Sequence, residues 1–194
     1  PGTPGLCVDF TIPSNDAATT TQSGWEFAFQ GDLSSLEDRI GWASGFGLVA
    51  NYTIQDFSGG SASDTTSGRG LTVLGDLTVP RGLLDFSENA YNVTAYYEKY
   101  GLSARARYTW REGYRSTDFG STSSFPWGFP VVQEDRGQLN ASISYDVNDQ
   151  LNIGIEAVNL TESEVSQSCV NGGALLCFQG ITDRRITFGA SYRF

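Results

Sequence analysis

The chain has 194 residues, 39% of them hydrophobic and 18% charged, with a net charge of −10 and no histidine. No apolar run of about 18 residues occurs, so no transmembrane helix is expected. The acidic balance argues against a nucleic-acid partner, the aromatic content argues against disorder, and the missing histidine excludes Ser-His-Asp and Cys-His catalytic pairs and His-ligated metal sites.

Apolar and polar residues alternate with a period of two, the mark of strands with unlike faces. Leu6, Val8, Phe10 and Ile12 form a first, weak segment, and Trp25, Phe27 and Phe29 a second. Residues 33–40 make at most a short turn. Phe46, Leu48, Ala50, Tyr52 and Ile54 then alternate with Gly47, Asn51, Thr53 and Gln55. Tyr91, Val93, Ala95 and Tyr97 oppose Asn92, Thr94, Tyr96 and Glu98, and Leu102, Ala104, Ala106, Tyr108 and Trp110 oppose Ser103, Arg105, Arg107, Thr109 and Arg111. Leu139, Ala141, Ile143, Tyr145 and Val147 share a face, as do Leu151, Ile153, Ile155 and Ala157 after the turn Asn148-Asp149. Ile186, Phe188, Ala190, Tyr192 and Phe194 close the series of eight candidate strands.

The connections also alternate. Short ones fall at 33–44, 99–101 and 148–150; long ones, rich in Gly, Ser, Thr and Asp, cover 57–88, 115–136 and 161–184. Loops this long are uncommon in compact soluble domains, whereas outer-membrane β-barrels carry short turns at one end and long loops at the other. A β-sandwich also alternates, but its buried face is normally rich in Val, Ile and Leu. Here the apolar face uses many Tyr, Trp, Phe and Ala, and the polar face carries arginines mid-strand, which suits a lipid-facing exterior around a wet lumen.

The runs over 87–116, 139–164 and 184–194 resemble the C-terminal barrel of TonB-dependent receptors. The features that carry the likeness are Tyr96-Tyr97-Glu98 turning at Gly101 into a strand with Arg105 and Arg111, the step Asn159-Leu160-Thr161, and the terminal Phe194. The likeness runs in order over about residues 25–194. It implies an all-β fold: an antiparallel transmembrane barrel segment of about eight strands, the last third of a 22-stranded barrel. Residues 1–194 would be the C-terminal part of such a receptor, without its plug domain and earlier strands. The implied function is TonB-dependent uptake of a scarce solute, such as a siderophore or oligosaccharide, across the outer membrane of a Gram-negative bacterium. The C-terminus would be periplasmic and the long loops extracellular. The implied partners are outer-membrane lipid, the plug, TonB through the plug, and a small-molecule substrate. No enzyme activity, cofactor, metal or nucleic acid is expected. The alternative is a complete small eight-stranded outer-membrane barrel with a structural or adhesive role. Its narrow lumen would need dense pairing of the arginines with Glu26, Glu98, Asp146 and Glu156.

Within this frame, Arg105, Arg107, Arg111, Tyr96 and Glu98 are expected on the lumen wall. There they would meet a solute or the plug, or pair among themselves as structural ions. Phe125, Trp127 and Phe129 would contact an extracellular ligand by ring stacking, or pack their loop. Cys169 and Cys177 share an exposed loop of a cell-envelope protein, oxidising territory where a disulfide is expected. Cys7 would be left over. Asn51, Asn92, Asn140 and Asn159 begin Asn-x-Ser/Thr triplets and are read as polar lumen residues, since glycans at mid-strand positions would block assembly. The resemblance makes Tyr192 and Phe194 part of the signal read by the barrel-assembly machinery.

Overall fold

The computed structural model describes residues 19–59, 85–119, 129–169 and 175–194; the segment Leu6 to Ile12 and Cys7 lie outside them. Seven strands form one antiparallel sheet: β1 (Thr20–Asp32), β2 (Phe46–Gly59), β3 (Asn89–Lys99), β4 (Leu102–Arg111), β7 (Arg136–Asp146), β8 (Leu151–Val158) and β11 (Arg185–Tyr192), in the order β1-β2-β3-β4-β7-β8-β11. Each of the seven expected strands within the described residues is found. A second antiparallel sheet contains β5 (Tyr114–Phe119), β6 (Phe129–Gln133), β9 (Val165–Cys169) and β10 (Leu175–Gly180), in the order β10-β9-β6-β5.

The register turns the alternation into two uniform faces. One row runs Phe46, Tyr97, Ala104, Ile143, Ile155 and Phe188 across six neighbouring strands. The next row runs Gly47, Tyr96, Arg105, Ser142, Glu156 and Thr187. Because successive side chains leave opposite faces of a pleated strand, a slip of one residue anywhere would exchange these rows. Strands β1 to β4 have 13, 14, 11 and 10 residues. About 9–11 tilted residues suffice to cross a bilayer.

The apolar face is uncovered. Trp25 is 73% exposed, Phe27 54% and Phe188 76%. A sandwich would bury these rings at a gain of about 25 cal/mol per Å², and among the described residues no second sheet lies over them. The sheet is also open. β1 pairs only with β2 and β11 only with β8 among the described residues, so the two edges do not meet.

The second sheet differs from expectation. Its strands lie in 115–136 and 161–184, which the composition marks as loops. They extend the β4–β7 and β8–β11 hairpins beyond the main sheet. The strands are only five or six residues long, and irregularities between Arg115 and Thr117 and between Leu176 and Phe178 break the period of two. A bulge inserts an extra residue, so alternation ceases to mark the strand. Here Val131 and Cys169, opposite each other on β6 and β9, are the buried apolar residues among those described.

Candidate functional site

The polar face of β2, β3 and β4 brings together four of the five expected lumen residues. Tyr96 pairs in register with Arg105, and Thr94 with Arg107. These residues, with Glu98, Asn92, Gln30 and Val49, line an open depression of about 440 Å³. The chain places them there because Tyr96, Glu98, Arg105 and Arg107 all fall on the polar parity of a hairpin closed by Tyr100 and Gly101, both with positive φ (57° and 74°). Such a two-residue turn fixes the register of the strands it joins.

Charge within the depression is unevenly satisfied. The Arg105 guanidinium donates to Glu98 Oε1 at 3.3 Å, with both side chains more than half exposed. Among the described residues, Arg107 has no ion-pair or hydrogen-bond partner. Among the described residues the wall therefore presents one unpaired guanidinium fork, Arg107, beside a paired one, Arg105. A planar fork of this kind can take a carboxylate, a phosphate or a pair of sugar hydroxyls.

Arg111 stands apart from this group. Its guanidinium donates to the Asp85 carbonyl and, at 2.7 Å, to Ser87 Oγ, and it lies 3.9 Å over the ring of Tyr114. Ser87 is buried and donates to the Glu112 carbonyl at 2.8 Å, while its own carbonyl accepts from Gln55 Nε2 at 2.7 Å. Asn89 Nδ2 adds a bond to Glu112 Oε2 at 2.7 Å. Arg111 thus ties the return of the long connection onto β4, the structural alternative weighed for these arginines. Ser87, Asn89 and Glu112 carry no sequence signal, because short polar residues beside a loop look alike whether knotted or solvated.

Asn159 is a second anchor. It is buried, has a φ of 58°, and bonds Ser163 and Thr182 across the base of the β9–β10 hairpin. Its Nδ2 donates to the Thr182 carbonyl at 2.9 Å, its Oδ1 accepts from Ser163 N at 2.9 Å, and its own N–H donates to Asn140 Oδ1 at 2.9 Å. Asn51 and Asn92 face each other at 3.4 Å on the polar face. Cys169 and Cys177 are joined by a disulfide with Cα atoms 5.8 Å apart, Cys177 lying at the irregularity of β10. Tyr192 donates to Gln150 Oε1 at 3.2 Å and meets the fully exposed Phe194 edge-on at 5.1 Å. Phe125 and Trp127 lie outside the described residues, and Phe129 begins β6.

The family model described as "TonB dependent receptor-like, beta-barrel" matches residues 1–160. The chain belongs to this family. Compared with the curated proteins and with the solved structures, it matches none. As a member of the TonB-dependent receptor-like barrels, it falls among receptors and transporters of the Gram-negative outer membrane, not in an enzyme class. The family implies contact with membrane lipid, a plug and TonB in general terms. The matched span takes in β1 to β8 and ends at the Asn159 anchor; β9, β10, β11 and the terminal Phe194 lie beyond it.

Proposed function

We propose that this chain is the C-terminal part of a TonB-dependent receptor that takes up a scarce solute, such as a siderophore or an oligosaccharide. The observation that carries the reading is the open seven-stranded sheet with one apolar and one polar face. An edge strand as long as β1 leaves a row of backbone donors and acceptors that a membrane could not satisfy, so further strands complete the barrel, to 22 in all. The plug and the earlier strands belong to the remainder of the protein, and TonB acts through the plug. The C-terminus lies on the periplasmic side, at the short-turn end, with the second sheet outside the cell. Tyr192 and Phe194 act as the assembly signal.

In this reading the Arg105–Arg107 wall faces the lumen with Tyr96 and Glu98 and docks the plug or the passing solute. Phe125, Trp127 and Phe129 provide the extracellular ring contacts, and the Cys169–Cys177 bond restrains the separate last loop. The complete eight-stranded barrel is the weaker reading. It needs β1 and β11 to close on each other or on a further strand, and it needs dense lumen ion pairs. Glu26 and Glu156 have no such pair among the described residues, and Asp146 bonds Asn152 instead.

The test is uptake by the full-length protein in isogenic Gram-negative hosts with and without TonB, supplied with a panel of ferric chelates and oligosaccharides. Uptake of at least one solute only in the TonB-bearing host is expected. Equal uptake in both hosts, or passive conductance of all solutes, would overturn the reading.

A further inference from the structure

Arg111 and Arg136 stand directly opposite each other on β4 and β7, at the long-loop end of the polar face. Cross-strand neighbours hold their Cβ atoms about 5 Å apart, and like charges so placed repel. Among the described residues, neither guanidinium has a carboxylate partner. Arg111 donates to two neutral acceptors, the Asp85 carbonyl and Ser87 Oγ. Arg136 donates to Gln138 Oε1 at 3.2 Å, and its Nε is buried with no hydrogen-bond partner among the described residues.

The carboxylates of this end leave both charges standing. Glu112 accepts from Asn89 Nδ2 at 2.7 Å, and Glu134 accepts from Ser168 Oγ. Glu88 and Asp135 are exposed and form no ion pair with either arginine. Glu26 shares the row through Thr53 and Ala90, but it lies three strands away from Arg111.

Both side chains are held in place. Gln138, which accepts from Arg136, donates through Nε2 to Asn140 Oδ1 at 2.9 Å, and the same oxygen accepts the Asn159 N–H at 2.9 Å. This line ties the Arg136 guanidinium to the buried Asn159. Ser87 and Asp85 fix Arg111 in the same way. The fold thus sets two cationic forks side by side and neutralises neither, an arrangement that is costly without a counter-charge.

We propose that Arg111 and Arg136 form the binding site for an oxyanion group, a carboxylate or a phosphate, carried by the incoming solute. This names the chemistry of that solute, and it rests on the reading that the polar face is the lumen wall of a transporter open to the outside at its long-loop end. An oxyanion between the two forks neutralises both, and its paired oxygens match their planar donors. A neutral sugar hydroxyl would leave both charges uncompensated. The pair lies where β4 and β7 lead toward β5 and β6 of the second sheet, on the side from which a solute arrives.

The test is equilibrium dialysis of the full-length protein in detergent against labelled phosphate and labelled citrate, with ionic strength held constant by chloride. Saturable binding of at least one anion is expected, weakened at least about tenfold in Arg136→Gln by loss of a charge-assisted bond. Arg136→Lys keeps the charge and loses the fork, so it should fall between the two; it carries the comparison if Arg136→Gln does not fold by heat-modifiable gel mobility. Arg39→Gln removes an exposed charge at the short-turn end and should bind as the native protein does. Absence of binding by the native protein overturns the site, and if Arg136→Gln is then also less stable, the two arginines serve a carboxylate of the protein itself. Equal weakening in Arg39→Gln and Arg136→Gln overturns it as well, since only net charge would then matter. Uptake of the chelate and oligosaccharide panel separates the two failures. If TonB-dependent uptake persists while dialysis fails, this site alone is wrong; if no solute enters through TonB, the transport reading fails and takes the solute site with it.

Discussion

The ring of Tyr96 lies across the bare backbone of Gly47, its neighbour in register on β2. A Cβ added to Gly47 would fall 2.1 Å from Tyr96 Cζ and 2.3 Å from the hydroxyl oxygen. The glycine is therefore the seat that holds Tyr96 flat against the polar wall, beside Arg105. Gly47→Ala must lift the ring. A loss of about 1–3 kcal/mol is expected from such overpacking. Tyr96→Ala should remove the clash, so the double variant should be less destabilised than the sum of the single ones. Urea titration of the reconstituted protein, followed by heat-modifiable gel mobility, measures this cycle. Strict additivity would show that the ring has another resting place.

The arginines on β4 should separate by stability. Arg111→Met removes a charged donor from buried Ser87 and from the Asp85 carbonyl, and should cost about 1.5–3 kcal/mol. Arg111→Lys should recover little, because a point charge cannot serve both acceptors and stack on Tyr114. Arg105→Met breaks an exposed pair and should cost less than about 1 kcal/mol. Comparable losses for Arg105 and Arg111 in urea titrations would contradict this division between wall and anchor.

Asn159 gives a local prediction. Asn159→Ala forfeits the bonds to Thr182 and Ser163 and places alanine at φ 58°. A destabilisation of about 1–3 kcal/mol is expected from the bonds. It should be confined to the second sheet, since Asn159 ties together Ser163 and Thr182, which flank β9 and β10. Hydrogen exchange should therefore speed up in 163–182 while β7 and β8 keep their protection. Asn159→Asp keeps the acceptor for Ser163 and loses the donor to Thr182, so it should fall between the two.

The disulfide should act on the same region by a different route. Cys169 and Cys177 are separated by 8 positions, and closing a ring of this size restricts the open state by roughly 2–3 kcal/mol in the chain-entropy description. Replacing both by serine should make 163–184 more sensitive to protease added outside, with no change in the unfolding of the main sheet. Protease resistance equal to that of the native protein would show that β9 and β10 are held by their ladder alone.

The faces of the main sheet were legible residue by residue. Alternation at Phe46, Leu48 and Ala50, or at Leu139, Ala141 and Ile143, is a local property: the pleat sends every second side chain to one side, and nothing distant needs to be known. The same reasoning placed Tyr96, Glu98, Arg105 and Arg107 on one wall, because their parity and the tight turn at Gly101 fix the pairing. The likeness to TonB-dependent receptors rested on the same strands, and the family match confirms it over residues 1–160.

Other relationships depended on partners far apart in sequence. Arg111 has the same parity as Arg105, yet it is an anchor because the chain returns to it at Asp85 and Ser87 after a long excursion. The second sheet escaped because bulges at Cys177 and near Ser116 erase the period on which a strand is recognised. Trp42 falls in the 33–44 connection, where no period marks it. Only the draw of Lys99 beneath that turn, toward Glu37 and Ser44, leaves its ring as the outward continuation of the sheet. Periodicity reports which way a side chain leaves the backbone, and sequence carries that in full. What meets the side chain there depends on loop closures that bring distant residues together, and those only the tertiary structure decided.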